Sequence, residues 1–322
     1  MAYNQPGNSC SKGELLNLSV QLAPKNRRGL LLANSVMTAS GTFGYGTEDD
    51  HPFDIQRLGA IVSKGTTLEP WEGNIQPRIV ETAGGMLNSI GLQNIGVKAL
   101  IKEKAPIWAK WRVPVIVNIA GKTIDDYTRL AELLDEVDGV SALEVNISCP
   151  NVREGGTEFG ADAKSASRVT AAVRKATSLP VMVKLTPNVG DITCIAIAVA
   201  ETGADAISLI NTIKGMAIDI NRRKPLLGNV TGGLSGPAIK PVALAMVFEV
   251  ADAVDIPLVG CGGITTATDA IEFIMAGASA VQVGTASMIN PHAPIEILEG
   301  VEKFMLDEGV DSITDLIGAA RC

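Results

Sequence analysis

Histidine is nearly absent: His51 and His292 are the only two in 322 residues. No Cys/His cluster has metal-ligand spacing, so histidine-based triads and histidine metal sites are poor candidates. Cysteine is sparse as well, with five residues at 10, 149, 194, 261 and 322 and no Cys-x-x-Cys pair. An odd, scattered set argues against a disulfide framework and for a reduced, cytoplasmic protein with no metal site. Aromatics make up 4% of the chain against 46% hydrophobic residues, so the core has to be built from Val, Ile, Leu and Ala. No apolar run approaches the ~18 residues of a membrane span. Residues 1–15 are polar, lack the apolar centre of a signal peptide, and read as a loose extension ahead of one domain over 16–322. A formal charge of −8 argues against a nucleic-acid or anionic-membrane binder, though not against a local basic pocket for a phosphate.

What is present is a repeated alternation. Short apolar or β-branched segments occur at 35–40, 60–64, 114–119, 142–148, 180–186, 206–210, 256–260 and 280–284. Helical patterns follow several of them, at 124–137, 163–176, 192–202, 238–253 and 268–276. Gly203 and Gly277 mark helix exits. Near-continuously apolar strands alternating with helices predict a parallel sheet covered by helices. Eight such units, with no Gly-x-Gly-x-x-Gly after the first strand, predict an α/β fold of the closed (β/α)₈ TIM-barrel type rather than an open dinucleotide-binding sheet. The connections after strands 2 and 6, at 66–112 and 211–239, are too long for simple turns and are expected over the active face.

Side chains alternate between the inside of a barrel and its helical shell. In the fourth strand Leu143, Val145 and Ile147 share one face, and Glu144, Asn146 and Ser148 the other. The same parity puts Lys64, Asn118 and Lys184 opposite apolar neighbours. If the apolar sets face helices, Lys64, Asn118, Asn146 and Lys184 point inward near strand C-terminal ends, where such barrels keep their chemistry. A buried lysine can instead pair with a structural carboxylate such as Glu144, or snorkel to solvent. Leu258-Val-Gly-Cys-Gly-Gly-Ile264 and Val281-Gln-Val-Gly-Thr-Ala286 put glycine at the last two strand exits, where bare backbone N–H groups suit a phosphate. Cys149 sits at another exit, in Asn146-Ile-Ser-Cys-Pro-Asn151, where Pro150 must break the strand. A thiol so placed suits a nucleophile or a proton-transfer base. Cys194 and Cys261 read as core or near-core residues.

Asn88-Ser-Ile-Gly-Leu-Gln-Asn94, Asn146-Ile-Ser-Cys-Pro-Asn151, Val183-Lys-Leu-Thr-Pro187, Gly232-Gly-Leu-Ser-Gly236 and the paired glycine exits occur together and in this order. The combination, across residues 16–318, resembles the class 1 dihydroorotate dehydrogenases. The stretch from Glu81 to Asn94 resembles the catalytic subunit of subtype 1B. The resemblance implies one FMN per chain and oxidation of dihydroorotate to orotate in pyrimidine biosynthesis. It also implies a homodimer within a heterotetramer whose other subunit carries FAD and a [2Fe-2S] cluster and passes electrons to NAD⁺. It makes Cys149 the base that removes the C5 proton while the C6 hydride moves to flavin N5. Lys64, Asn88, Ser89, Ile90, Gly91, Leu92, Asn146, Asn151, Asn211 and Thr212 would surround the substrate. Ser40, Lys64, Asn118, Asn146, Lys184 and Ile210 would hold the flavin ring and ribityl chain, and Gly236, Gly262, Gly263, Gly284 and Thr285 the phosphate. The glycine-rich, charged segment 153–160 is a candidate lid.

Four other readings compete. An FMN barrel acting on another dihydropyrimidine would need different contacts at the carboxylate end, and a 1A-type enzyme would use fumarate as acceptor. A lyase with Lys184 as Schiff base leaves Cys149 and the Asn88 loop without a role, and a non-catalytic scaffold leaves the whole polar set without one.

Overall fold

A computed structural model describes residues 16–48, 51–148, 153–154 and 157–321. Eight short strands form its centre: β1 (Val36–Thr38), β2 (Ile61–Val62), β3 (Val115–Ile119), β4 (Ala142–Asn146), β5 (Val181–Lys184), β6 (Ala206–Leu209), β7 (Leu258–Cys261) and β8 (Ala280–Val283). Their order in the sheet is β1-β8-β7-β6-β5-β4-β3-β2, with every pairing parallel. A parallel bridge between Met37 and Ala60, with the Gly59 N–H on Val36 O at 2.8 Å, joins β1 to β2 and closes the ring. The expected TIM barrel is borne out.

Six helices clad the later strands: α1 (Ile124–Leu134), α2 (Ala163–Ala176), α3 (Ile192–Glu201), α4 (Lys240–Ala253), α5 (Ala267–Met275) and α6 (Ala293–Glu308). Strand exits run into side-chain caps, which set where helices begin. Thr123 and Asp126 form a capping box at α1, Thr266 and Asp269 another at α5, and Asp162 and Asp191 cap α2 and α3. α1 buries Tyr127, Leu130, Ala131 and Leu134, the i, i+3, i+4, i+7 stripe of a surface helix. It stops short of the expected Val137, with Asp135 at its C-cap reaching the segment that leads into β5. There its Oδ1 accepts from Thr177 Oγ1 and the Ser178 N–H, both at 2.6 Å.

Cys194 departs from its expected place in the core. α3 buries Ile192, Ile195, Ala196 and Val199, and position 194 falls off that face. Its exposed thiol donates to Asp191 Oδ2 at 3.1 Å. Cys261 is buried, as expected.

The two long connections build a common structure. Ile79–Thr82 and Gly85–Asn88 form a hairpin in the first, and Ile213–Gly215 pairs with Gly232–Ser235 in the second. The hairpins join edge to edge through Gly233↔Asn88, Leu234↔Leu87 and Ser235↔Met86, giving one four-stranded antiparallel sheet. Neither insertion supplies this sheet alone, so each protects an edge the other would leave open.

Candidate active site

Between this antiparallel sheet and the C-terminal ends of the barrel strands lies a cavity of about 520 Å³. Its floor includes Lys64, Asn118, Asn146 and Lys184, the inward set expected from strand parity. Ser40, Ile210, Asn211 and Thr212 line it from the exits of β1 and β6, and Asn88, Ser89, Ile90, Gly91 and Leu92 from the insertion side. Gly236, Gly262, Gly263, Gly284 and Thr285 line one end. The structure thus brings together every described member of the two expected sets. Cys149 and Asn151 lie outside the described residues. The chain enters that stretch from Ser148, which lines the cavity and donates its hydroxyl to Lys184 O at 3.0 Å.

Beneath the floor, β3, β4, β5, β6 and β8 contribute a buried polar cluster where most barrels pack branched hydrocarbon. Glu144 is fully buried at its centre. Its Oε1 accepts from Asn118 Nδ2 at 2.6 Å and lies 3.7 Å from Lys184 Nζ. Its Oε2 accepts from Gln282 Nε2 at 2.6 Å and Ser208 Oγ at 2.9 Å. Lys184 Nζ donates to Gln282 Oε1 at 3.0 Å. Burial works against the Lys184 charge, but the Glu144 carboxylate more than offsets it, with the Cys261 thiol adding to the effect. The lysine is held above its ordinary value. Burial likewise pushes the Cys261 thiol up, against the pull of Lys184.

At the glycine end, Gly236, Gly262 and Gly263 have φ of +95°, +130° and +74°. A Cβ on Gly263 would stand 2.8 Å from the Lys240 backbone and 2.9 Å from Gly236 O, so the two turns touch through bare backbone. Lys240 Nζ is drawn away to Asp269 Oδ1 at 2.6 Å and Glu272 Oε2 at 2.8 Å. Asp269 Oδ2 accepts from the N–H groups of Thr265 and Thr266, both at 2.9 Å, which pins the turn after β7. Bare backbone N–H groups at this end are of the kind that suit an anion.

On the insertion side, Leu92 has φ +58°, a left-handed conformation costly for a branched side chain. Asn94 holds it there, donating to Leu92 O at 2.7 Å and accepting from the Gly96 N–H at 2.8 Å. Asn211 Nδ2 approaches Asn146 Oδ1 at 3.5 Å, and Tyr127 of α1 donates its hydroxyl to Asn146 O at 2.8 Å. Tyr127 thus braces the floor from outside the cavity.

The dihydroorotate dehydrogenase family model matches residues 23–305. The chain belongs to the dihydroorotate dehydrogenase family. It is 59% identical, over 92% of its length and 98% of the relative's, to the dihydroorotate dehydrogenase B (NAD(+)), catalytic subunit, of Pelobacter propionicus. The like-named proteins of Desulforamulus reducens and Geotalea uraniireducens are 57% and 54% identical, over 95% and 94% of this chain and 99% and 98% of theirs. The resemblance to the 1B catalytic type read from the motifs is borne out.

In this dihydroorotate dehydrogenase-family barrel, Lys184 resolves the alternatives left open by parity. It pairs with Glu144 and also lines the cavity, whereas half-buried Lys64 lines the cavity and pairs with no carboxylate among the described residues. A Schiff-base lysine needs a free amine favoured by a lowered pKa; the raised value of Lys184 opposes the lyase reading. Sequence reasoning passed over Gln282 and Ser208, which the same alternation picks out between Val281 and Val283 and between Ile207 and Leu209. Asn188 and Lys214 were also missed. Asn188 donates to Thr212 O at 3.0 Å and accepts from the Lys214 N–H at 2.8 Å, joining the exits of β5 and β6.

Proposed function

We propose that the chain is the FMN-carrying catalytic subunit of an NAD⁺-linked dihydroorotate dehydrogenase, oxidising (S)-dihydroorotate to orotate in pyrimidine biosynthesis. The observation that carries this reading is one cavity lined by every described member of both expected residue sets. One end offers glycine N–H groups for a phosphate, the middle offers amides and an ammonium for a polar ring, and the insertion side offers Asn88 through Leu92 for a small acid. The family is flavin-dependent, and the residues present fit FMN. Asn118 Oδ1 is buried without a partner among the described residues, as an acceptor awaiting a ligand N–H or O–H would be.

The flavin, when bound, supplies the two-electron acceptor for the C6 hydride. Cys149 takes the C5 proton, which is acidified by the adjacent carbonyl; a thiol with an ordinary value near ~8.5 suits that task better than a hydroxyl. Lys64 and the Asn88–Leu92 loop orient the substrate carboxylate, with Asn146, Asn151, Asn211 and Thr212 around the ring. Donors on the carbonyl side stabilise the charge that develops as the C5 proton leaves. Lys184, whose ammonium lines the cavity, would hold a positive charge beside a bound flavin ring. The candidate lid, 153–160, lies partly outside the described residues. Electrons leave through an FAD- and iron–sulfur-containing partner in a heterotetramer built on a dimer of this chain. Among the described residues no helix is long and apolar enough to cross a membrane.

Anaerobic titration of FMN-loaded protein with (S)-dihydroorotate tests the reading. Bleaching of the flavin, with orotate formed one for one, is the expected result. A flavin that dithionite bleaches and dihydroorotate does not would overturn it. Turnover with NAD⁺ is expected only after adding the FAD/iron–sulfur subunit; rapid NAD⁺ or fumarate reduction by the chain alone would reassign the acceptor.

A further inference from the structure

We propose that Glu144 is a positioning residue for this site: it turns the Asn118 carbonyl toward the cavity and keeps the Lys184 ammonium charged beside it. The inference rests on the FMN reading above, and concerns a residue that touches neither flavin nor substrate, since Glu144 is fully buried below the cavity floor.

The argument begins with donor counting. An ionised carboxylate only accepts hydrogen bonds, so every amide that meets it must present its nitrogen. Asn118 therefore gives Nδ2 to Glu144 Oε1, and Oδ1 is left pointing away, fully buried and without a partner among the described residues. A Cβ placed on cavity-lining Gly65 would lie 3.0 Å from that oxygen, which puts it at the cavity edge. Gln282 obeys the same rule, giving Nε2 to Glu144 Oε2, and its Oε1 is then free to accept from Lys184 Nζ. One carboxylate thus fixes the polarity of two amides on β3 and β8. Neutral glutamine at position 144 keeps one acceptor and replaces the other with a donor, so the two amides could no longer both present nitrogen to it.

Charge gives the second half. The titratable groups facing Lys184 are Glu144 from β4 and Cys261 from β7; Asn118, Ser208 and Gln282 do not titrate, and Lys64, just past the end of β2, lines the same cavity. Glu144 is the one carboxylate within ion-pair distance of Lys184 among the described residues. Without it, burial disfavours the ammonium and the proton is held less tightly. A charge at Lys184 that stays constant with pH is a property conferred by Glu144.

The test uses FMN-loaded protein and needs no substrate. In Glu144→Gln, FMN affinity should fall about tenfold, the cost of a floor whose amide orientation and ammonium charge are no longer both fixed. The flavin midpoint potential, followed against pH by dye equilibration, should gain a break absent from the wild type, where Lys184 releases its proton. The double variant Glu144→Gln/Lys184→Met should lose that break. Glu144→Asp, which keeps the charge but withdraws it by one methylene, should weaken FMN binding without introducing the break. Wild-type affinity and wild-type pH dependence in Glu144→Gln would overturn the proposal. If Glu144→Gln does not fold, Glu144→Asp decides: about tenfold weaker FMN binding supports the proposal, and unchanged binding overturns it. A wild-type chain that takes up no FMN overturns the functional reading and this proposal with it. Normal flavin behaviour without reduction by dihydroorotate overturns only the assigned substrate.

Discussion

Asn88 and Gly233 stand opposite each other across the seam where the two long insertions meet, and the Asn88 amide donates to Gly233 O at 3.4 Å. Both residues line the cavity, so the joint that holds the roof together is also part of the binding surface. A Cβ on Gly233 would fall 1.9 Å from Thr212 Oγ1, a side chain of the expected substrate set. Gly233→Ala must push Thr212 or the seam aside. The expected outcome is a KM for dihydroorotate raised roughly 10- to 100-fold, as for a misplacement of about 1 Å, with FMN content unchanged. Steady-state kinetics beside flavin absorbance after denaturation checks it.

Cys149→Ala removes the proposed base and alters no described cavity residue. Flavin reduction by dihydroorotate should slow by about 10²- to 10⁴-fold, the range for loss of a general base, while FMN remains bound. Stopped-flow absorbance under anaerobic conditions measures it. A variant that reduces its flavin at the wild-type rate would remove Cys149 from the chemistry.

Gly263→Ala addresses the phosphate end. The residue has φ +74° and lies against Gly236 O and the Lys240 backbone, so an added methyl meets both strain and contact. Strain of about 1–3 kcal/mol predicts FMN binding weakened by roughly ten- to a hundredfold. Fluorescence titration of apoprotein with FMN, compared with titration by riboflavin, localises the effect. The penalty should be larger for FMN, because only FMN carries the phosphate.

Asp269 makes stability at this turn depend on pH. Burial acts to raise its value, but the Lys240 ammonium and the Thr265 and Thr266 donors outweigh burial and hold it well below the usual carboxylate range. A depressed folded-state value means the contribution is fully present above the unfolded value of ~3.9 and is lost as pH falls through the folded one. The stability gap between wild type and Asp269→Asn should therefore be constant near neutrality and shrink on acidification below about pH 4. Urea midpoints at pH 7 and pH 3 read the difference directly.

The eight strands were legible because parallel strands buried on both faces need near-continuous apolar runs, and the helices between them need stripes and caps. Glu144, Asn146, Asn118 and Lys184 could be assigned to the barrel interior by counting alternate residues, since the pleat has a period of two. Gln282 and Ser208 carry the same signal, but a single glutamine or serine between valines or leucines looks unremarkable until its partner is known. Cys194 misled because a short apolar helix, Ile192–Glu201, hides which of its faces is buried.

By itself the sequence determined the barrel, the inward polar residues, the glycine exits and the order of motifs that marks the family, all of them local or periodic properties. Tertiary structure decided the rest. Asn88 and Gly233 are 145 residues apart, and Glu144 and Gln282 are 138 apart; no local pattern records either pairing. Which lysine is tied to a carboxylate, which amide oxygen faces the cavity, and how two insertions become one roof depend on side chains from different strands meeting in three dimensions.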